Sequence, residues 1–139
     1  MFTMTTLRKY EEFEDASGRS VRYRRGETGG LVALTALVAD DAHVGDQAWV
    51  DPGARVASGA HIGSHSWVEV GAVVGARAYL GERVHVGRDA VVGPAARLGA
   101  RAEVGAGARV EAGAVVPPEA RVPEGAVVVR GQERHALAA

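Results

Sequence analysis

From Val32 to Val128, every sixth residue is Val, Ile or Leu, with no insertion across seventeen positions and 96 residues. Two places before each stands a small residue, Ala in fourteen cases, with Gly30, Ser66 and Val84 as the exceptions. A fixed period this short is the mark of a solenoid, in which each unit buries its apolar side only by stacking on its neighbours. Within one unit, Ala60-His61-Ile62-Gly63-Ser64-His65, strand alternation sends Ala60 and Ile62 inward and His61 outward, and the other three residues turn the chain.

The punctuation agrees with that reading. All fifteen glycines after Gly30 fall one or three places after the aliphatic residue, and the five prolines lie only in corners. Gly supplies positive φ and Pro a fixed φ, as sharp corners require. Three units per turn stack residue n on n+18, which predicts six turns or slightly fewer and a prism roughly 27 Å long at ~4.8 Å per strand.

These hexads, over about 100 of the 139 residues, resemble the bacterial hexapeptide-repeat superfamily. The resemblance implies an all-β fold, a single-domain left-handed parallel β-helix. The hand comes from the resemblance alone, because crossover sterics favour the right hand. We expect a cap at residues 1–29, the β-helix at 30–131 and a polar, then Ala-rich, tail at 132–139 that forms a short helix or frays. Before the repeats, Lys9–Glu14 and Ser20–Arg25 both alternate around a turn at Asp15–Gly18. One strand is acidic and the other basic, so cross-strand pairs set the register of an antiparallel hairpin.

Only seven aromatic residues are present, so the interior must be filled by Ala and Val. The net charge of −1, with fifteen Arg and one Lys (Lys9), offers no footprint for nucleic acid or an anionic membrane. No cysteine is available for disulfides or thiolate chemistry. With no apolar leader in Met1–Tyr10 and no long apolar run, the expected setting is the cytoplasm.

Chemistry, if any, belongs to the outward residues, which form three ladders. The first holds His43, His61, Tyr79, Arg97 and Val115. The second holds Leu31, Trp49, Trp67, His85, Glu103 and Arg121. The third holds Leu37, Arg55, Val73, Val91, Arg109 and Val127. Contiguous exposed apolar surface marks an interface, so Trp49, Trp67, Val73 and Val91 are interface candidates. For the Trp pair the alternative is cover by the hairpin, through Tyr10 or Phe13.

Enzymes of the resembled superfamily are mostly acyl-CoA-dependent acyltransferases. The resemblance implies trimers with active sites between subunits, a His general base and a loop excursion. His61 and His85, outward in mid-helix, are the candidate bases. The stretch Gly113–Gly131 is similar to the end of such transferases, although Arg130-Gly131-Gln132 stands where they carry an Asn-Pro-Ala-Lys-like sequence. No loop interrupts the repeats. A zinc site of the γ-carbonic anhydrase kind, from His43, His61 and His65, does not fit that family's ligand spacing and lacks its amide partner, since Asn is absent. A flat Thr ladder for ice is missing too.

A weaker resemblance, carried by Gly26-Glu27-Thr28-Gly29-Gly30-Leu31 and Gln47-Ala48-Trp49-Val50, is to repeat proteins of prophages and bacterial genomes without established chemistry. The sequence reading is therefore a non-catalytic structural or binding module, with an acyltransferase as the alternative. It expects no cofactor, no metal, and self-association as a trimer.

Overall fold

The computed structural model describes residues 10–14 and 18–131. Lys9, Asp15–Ser17 and the tail from 132 onward, with its expected short helix, lie outside the described residues. Among the described residues every regular element is a strand. β1 (Tyr10–Glu14) and β2 (Ser20–Arg25) form the hairpin, in the register Tyr10↔Arg24 to Glu14↔Ser20. Arg25 Nε donates to Glu11 at 2.8 Å and Arg22 Nε to Glu12 at 3.1 Å, the acid-to-base pairing that the alternation predicts.

β2 then pairs antiparallel with β3 (Leu31–Ala33), and from there the pairings are parallel, each strand lying on the one eighteen residues earlier. Thus Leu31 pairs with Trp49, Trp49 with Trp67, Trp67 with His85, His85 with Glu103 and Glu103 with Arg121. The other two ladders run from Leu37 to Val127 and from His43 to Val115, so the three faces are those expected. The coil makes about five turns, against the six or slightly fewer expected from the count of units.

The inward positions pack as the pattern demands. Ile62, Leu80, Leu98 and the intervening valines are fully buried, with alanines such as Ala72 and Ala96 at 0% exposure between them. Ser66, the polar exception, is buried without penalty: its hydroxyl donates to the Gly81 carbonyl at 2.9 Å and accepts from the Val84 N–H at 3.0 Å. Leu31 departs from the outward rule and is buried, because the hairpin strand beside it closes over that rung.

Corner glycines serve two purposes, whereas the sequence suggests only one. Gly53 has φ +76° with no close neighbour, so backbone conformation selects it. Gly63 has no positive φ; a Cβ there would lie 2.4 Å from the Gly81 carbonyl oxygen of the next coil. At one edge the left-handed conformation falls instead on Gln47, His65, Arg83 and Arg101, with φ of 58 to 64°. There the backbone N–H of Arg83 donates to Ser64 at 2.9 Å and that of Arg101 to Glu82 at 2.8 Å, which holds each residue in place.

Candidate functional site

The chemistry gathers on the face of Trp49, Trp67 and His85, near the hairpin. The hairpin covers Trp49: the Phe13 and Tyr23 rings meet it edge-on at 4.9 and 5.1 Å. Of the two hairpin residues named for that cover, Phe13 makes the contact; the side chain of Tyr10 lies outside the described residues. Trp67 is left 44% exposed. Its ring stacks on that of His85, 4.7 Å between centroids and 15° from parallel.

Two diagonal contacts tie this pair to the corner one coil below. Trp67 Nε1 donates to Asp51 at 2.7 Å, and His85 Nε2 pairs with Glu69. Both link an outward ring to an acid sixteen residues earlier. A carboxylate only accepts, so in the neutral imidazole of His85 Nε2–H donates and Nδ1 carries the lone pair. Asp51 also accepts from the Tyr23 hydroxyl, at 2.9 Å. Burial pushes the Asp51 carboxyl above its ordinary range, against the opposing hydrogen bonds from Trp67 and Tyr23; the nearby Glu69 charge raises it further and His85 lowers it.

Two open cavities meet at this point. The larger, about 1000 Å³, lies under the hairpin and is lined by Phe13, Trp49, Asp51, Trp67 and Glu69 among others. The smaller, about 390 Å³, is lined by His85, Glu103 and Arg121. Glu69 and Arg88 border both.

His61 sits differently. It is stacked between His43 and Tyr79 at 4.6 and 4.7 Å, and the Arg97 guanidinium lies 5.2 Å from the Tyr79 centroid. Its Nδ1 is buried with no hydrogen-bond partner. The position sixteen residues earlier is Gly45, which supplies no carboxylate there. Val73 and Val91 are adjacent rungs of the third face, half-buried, with Leu37 and Val127 exposed farther along. The structure thus brings His85 together with Trp67 and leaves His61, Val73 and Val91 on other faces. Among the described residues no group of three His, Asp or Glu is disposed to hold a metal ion, and no helix is long and apolar enough to cross a membrane.

No family model and no curated protein matches the sequence. Solved structures do match. Perosamine N-acetyltransferase from Caulobacter crescentus, in complex with CoA and GDP-perosamine, is similar at 30% identity and a TM-score of 0.71, over 73% of this chain and 48% of that one. A second variant of that enzyme, with the same two ligands, gives 31% identity, a TM-score of 0.71 and the same coverage. A putative acetyltransferase from Bacillus cereus shares the fold at 19% identity and a TM-score of 0.54, over 73% of each chain. The chain spans about half the length of the Caulobacter enzyme.

The protein is a hexapeptide-repeat left-handed β-helix.

Within this β-helix the ladders follow from the period, but the period does not single out Tyr23, Asp51 or Glu69. A signal exists for the two acids. They occupy the place directly after the aliphatic residue, where eight other units carry Gly. An acid in a place where Gly is the commonest residue, as also at Glu111, is a departure from the repeat, and departures from a repeat are where its outer surface is specialised.

Proposed function

We propose that this β-helix is an acyl-CoA-dependent acyltransferase, with His85 as general base and Glu69 as the group that orients it. The observation that carries the reading is the His85–Glu69 pair at the junction of two open cavities. A transferase needs room for two substrates and one base between them. Support also comes from the likeness to an N-acetyltransferase structure that contains CoA. The non-catalytic module, preferred on sequence grounds, is thereby set second. What still favours it is the unbroken solenoid, which carries no loop to wrap an acyl donor.

In this reading acyl-CoA and an amine or hydroxyl compound are the substrates. His85 Nδ1 accepts the proton as the acceptor attacks the thioester carbonyl. The tetrahedral intermediate then collapses, the C–S bond breaks, and His85 returns the proton to the leaving CoA thiolate. Glu69 holds the imidazole in the Nε2–H tautomer and offsets its transient charge. We also propose that the chain assembles as a homotrimer, with the valine face as the interface; exposed Leu37 and Val127 at the two ends of that face support it.

The test is thiol release from acetyl-CoA with a panel of amines, amino-sugar nucleotides included. His85→Ala should lower kcat by about 10²-fold or more, the range of general-base catalysis, with an unchanged melting temperature. His61→Ala should leave kcat within twofold or so of wild type, since the reading gives His61 no proton to move. Absence of saturable acetyl-CoA binding by the wild-type protein would return the assignment to a non-catalytic module.

A further inference from the structure

His85 is at the end of a chain of contacts that begins in the hairpin. Tyr23 on β2 donates to Asp51 Oδ1 at 2.9 Å, and Trp67 donates to Asp51 Oδ2 at 2.7 Å. The Trp67 ring then lies against the His85 ring, 15° from parallel. Both carboxylate oxygens of Asp51 are thus engaged, one by the cap and one by the solenoid. The arrangement is costly, because Asp51 is only 9% exposed and a carboxylate there loses much of its hydration. Trp67, in contrast, is 44% exposed and has the Phe13–Tyr23–Trp49 ring cluster on the neighbouring rung rather than around it. Without the bond to Asp51, nothing polar fixes the indole about its χ angles, and the surface against which the imidazole stacks is free to turn.

We propose that Asp51 is a positioning residue for the candidate base: it clamps Trp67, and through the stacked indole it sets the plane of the His85 imidazole, with Tyr23 making the hairpin part of the same unit. The proposal rests on the reading of His85 as the base. Glu69 fixes one edge of the imidazole; Trp67 fixes its face. Two restraints on a ring with two soft torsions leave one orientation, and orientation within a fraction of an ångström is what proton transfer demands.

The experiment compares Asp51→Ala, Asp51→Asn and Tyr23→Phe with the wild-type protein. Nitrogen NMR of the His85 imidazole reports its tautomer, and acetyl transfer is measured in parallel. In Asp51→Ala the unclamped ring should turn out of line with Glu69, so that the single Nε2–H tautomer gives way to a mixture and kcat falls about tenfold with KM for acetyl-CoA unchanged. Asp51→Asn, which keeps an acceptor for Trp67, should recover most of both. Tyr23→Phe keeps the ring packing and should shift both readouts in the same direction by a smaller factor; it carries the test if Asp51→Ala does not fold. Unaltered His85 resonances and kcat in folded Asp51→Ala or Tyr23→Phe would overturn the proposal. If the tautomer shifts but the wild-type protein transfers no acyl group, the positioning stands and the acyltransferase reading falls.

Discussion

Two faces of the prism share one grammar and differ in what they can do. Under Trp67 and His85 lie Ser66, Val68, Val84 and Val86; under Val73 and Val91 lie Ala72, Val74, Ala90 and Val92, and all eight are buried. The outer sides diverge at the corners. The Trp49 and Trp67 strands are followed by Asp51 and Glu69, whereas the Arg55, Val73 and Val91 strands are followed by Ala57, Gly75 and Gly93, and the acid of the valine face, Glu111, comes only after Arg109. Ring N–H donors therefore find acids on one face, and the other stays apolar with arginines at intervals. The fold is carried by the interior, so the outer surface is free to hold polar chemistry on one side and association on another.

The most severe test strikes what the faces have in common. Val74→Asp and Val86→Asp bury an unpaired carboxylate beneath the valine and histidine faces respectively. Each costs several kcal/mol, comparable to the whole stability of a small domain, so both should abolish the β-sheet circular dichroism signal. Survival of either would mean that the two interiors are not equivalent. Ala72→Leu, an overpacking change at a fully buried position, should cost about 1–3 kcal/mol in denaturant titration.

Changes on the outside should separate the faces. Val73→Glu combined with Val91→Glu should dissociate the proposed trimer in sedimentation velocity while the circular dichroism stays intact. Trp67→Glu should leave the oligomer assembled. Wild-type protein that sediments as a monomer at tens of micromolar would remove the valine face from consideration as an interface.

A pH series sharpens the contrast further. The Asp51 carboxyl is raised above 3.8 in the folded protein, so between pH 3.8 and its raised value the folded state binds more protons than the unfolded chain. Its contribution to stability is fully present below pH 3.8 and is lost as pH rises through the folded value. Asp41, exposed and bonded by Ser58 and the Gly59 N–H, is lowered and has the opposite sign: its contribution is present above pH 3.8 and lost as pH falls. The melting temperature of Asp51→Asn minus that of wild type should accordingly be more positive at pH 7 than at pH 3.5. An Asp41→Asn difference moving the same way would contradict the assignment.

The smallest effect belongs to the corners. Ala95 has φ +60°, and Ala95→Gly should change stability by less than about 1 kcal/mol, relief of the left-handed strain being partly offset by the greater backbone entropy of Gly. Gly53→Ala, the reverse change at φ +76°, should destabilise in urea by a similar amount.

Much of the fold is legible in the sequence, because a six-residue period leaves the inward positions no alternative. Alternation alone assigns Ala60, Ile62 and their equivalents, and the three ladders follow by addition of eighteen. The hairpin is equally legible, since its charges are segregated by strand. The candidate site is legible only by half. His85 and Trp67 stand out as an unusual pair of rungs, but their acids are sixteen residues earlier, on another strand's corner, and a ladder spaced by eighteen does not place the two side by side.

What the sequence alone determined is periodic: interior, faces, corner positions and the pairing of like rungs. A repeat specifies these because each unit meets the same neighbours. What the tertiary structure decided is aperiodic. Whether a corner needs glycine for φ, as at Gly53, or for the approach of the next coil, as at Gly63, depends on the path of the neighbouring backbone. That Leu31 is covered and Trp67 exposed depends on where the hairpin ends. That the rings of Trp67 and His85 meet Asp51 and Glu69 depends on how far a ring reaches toward the corner below. Each is a matter of distance across coils, and that distance is set only when the chain has closed its turns.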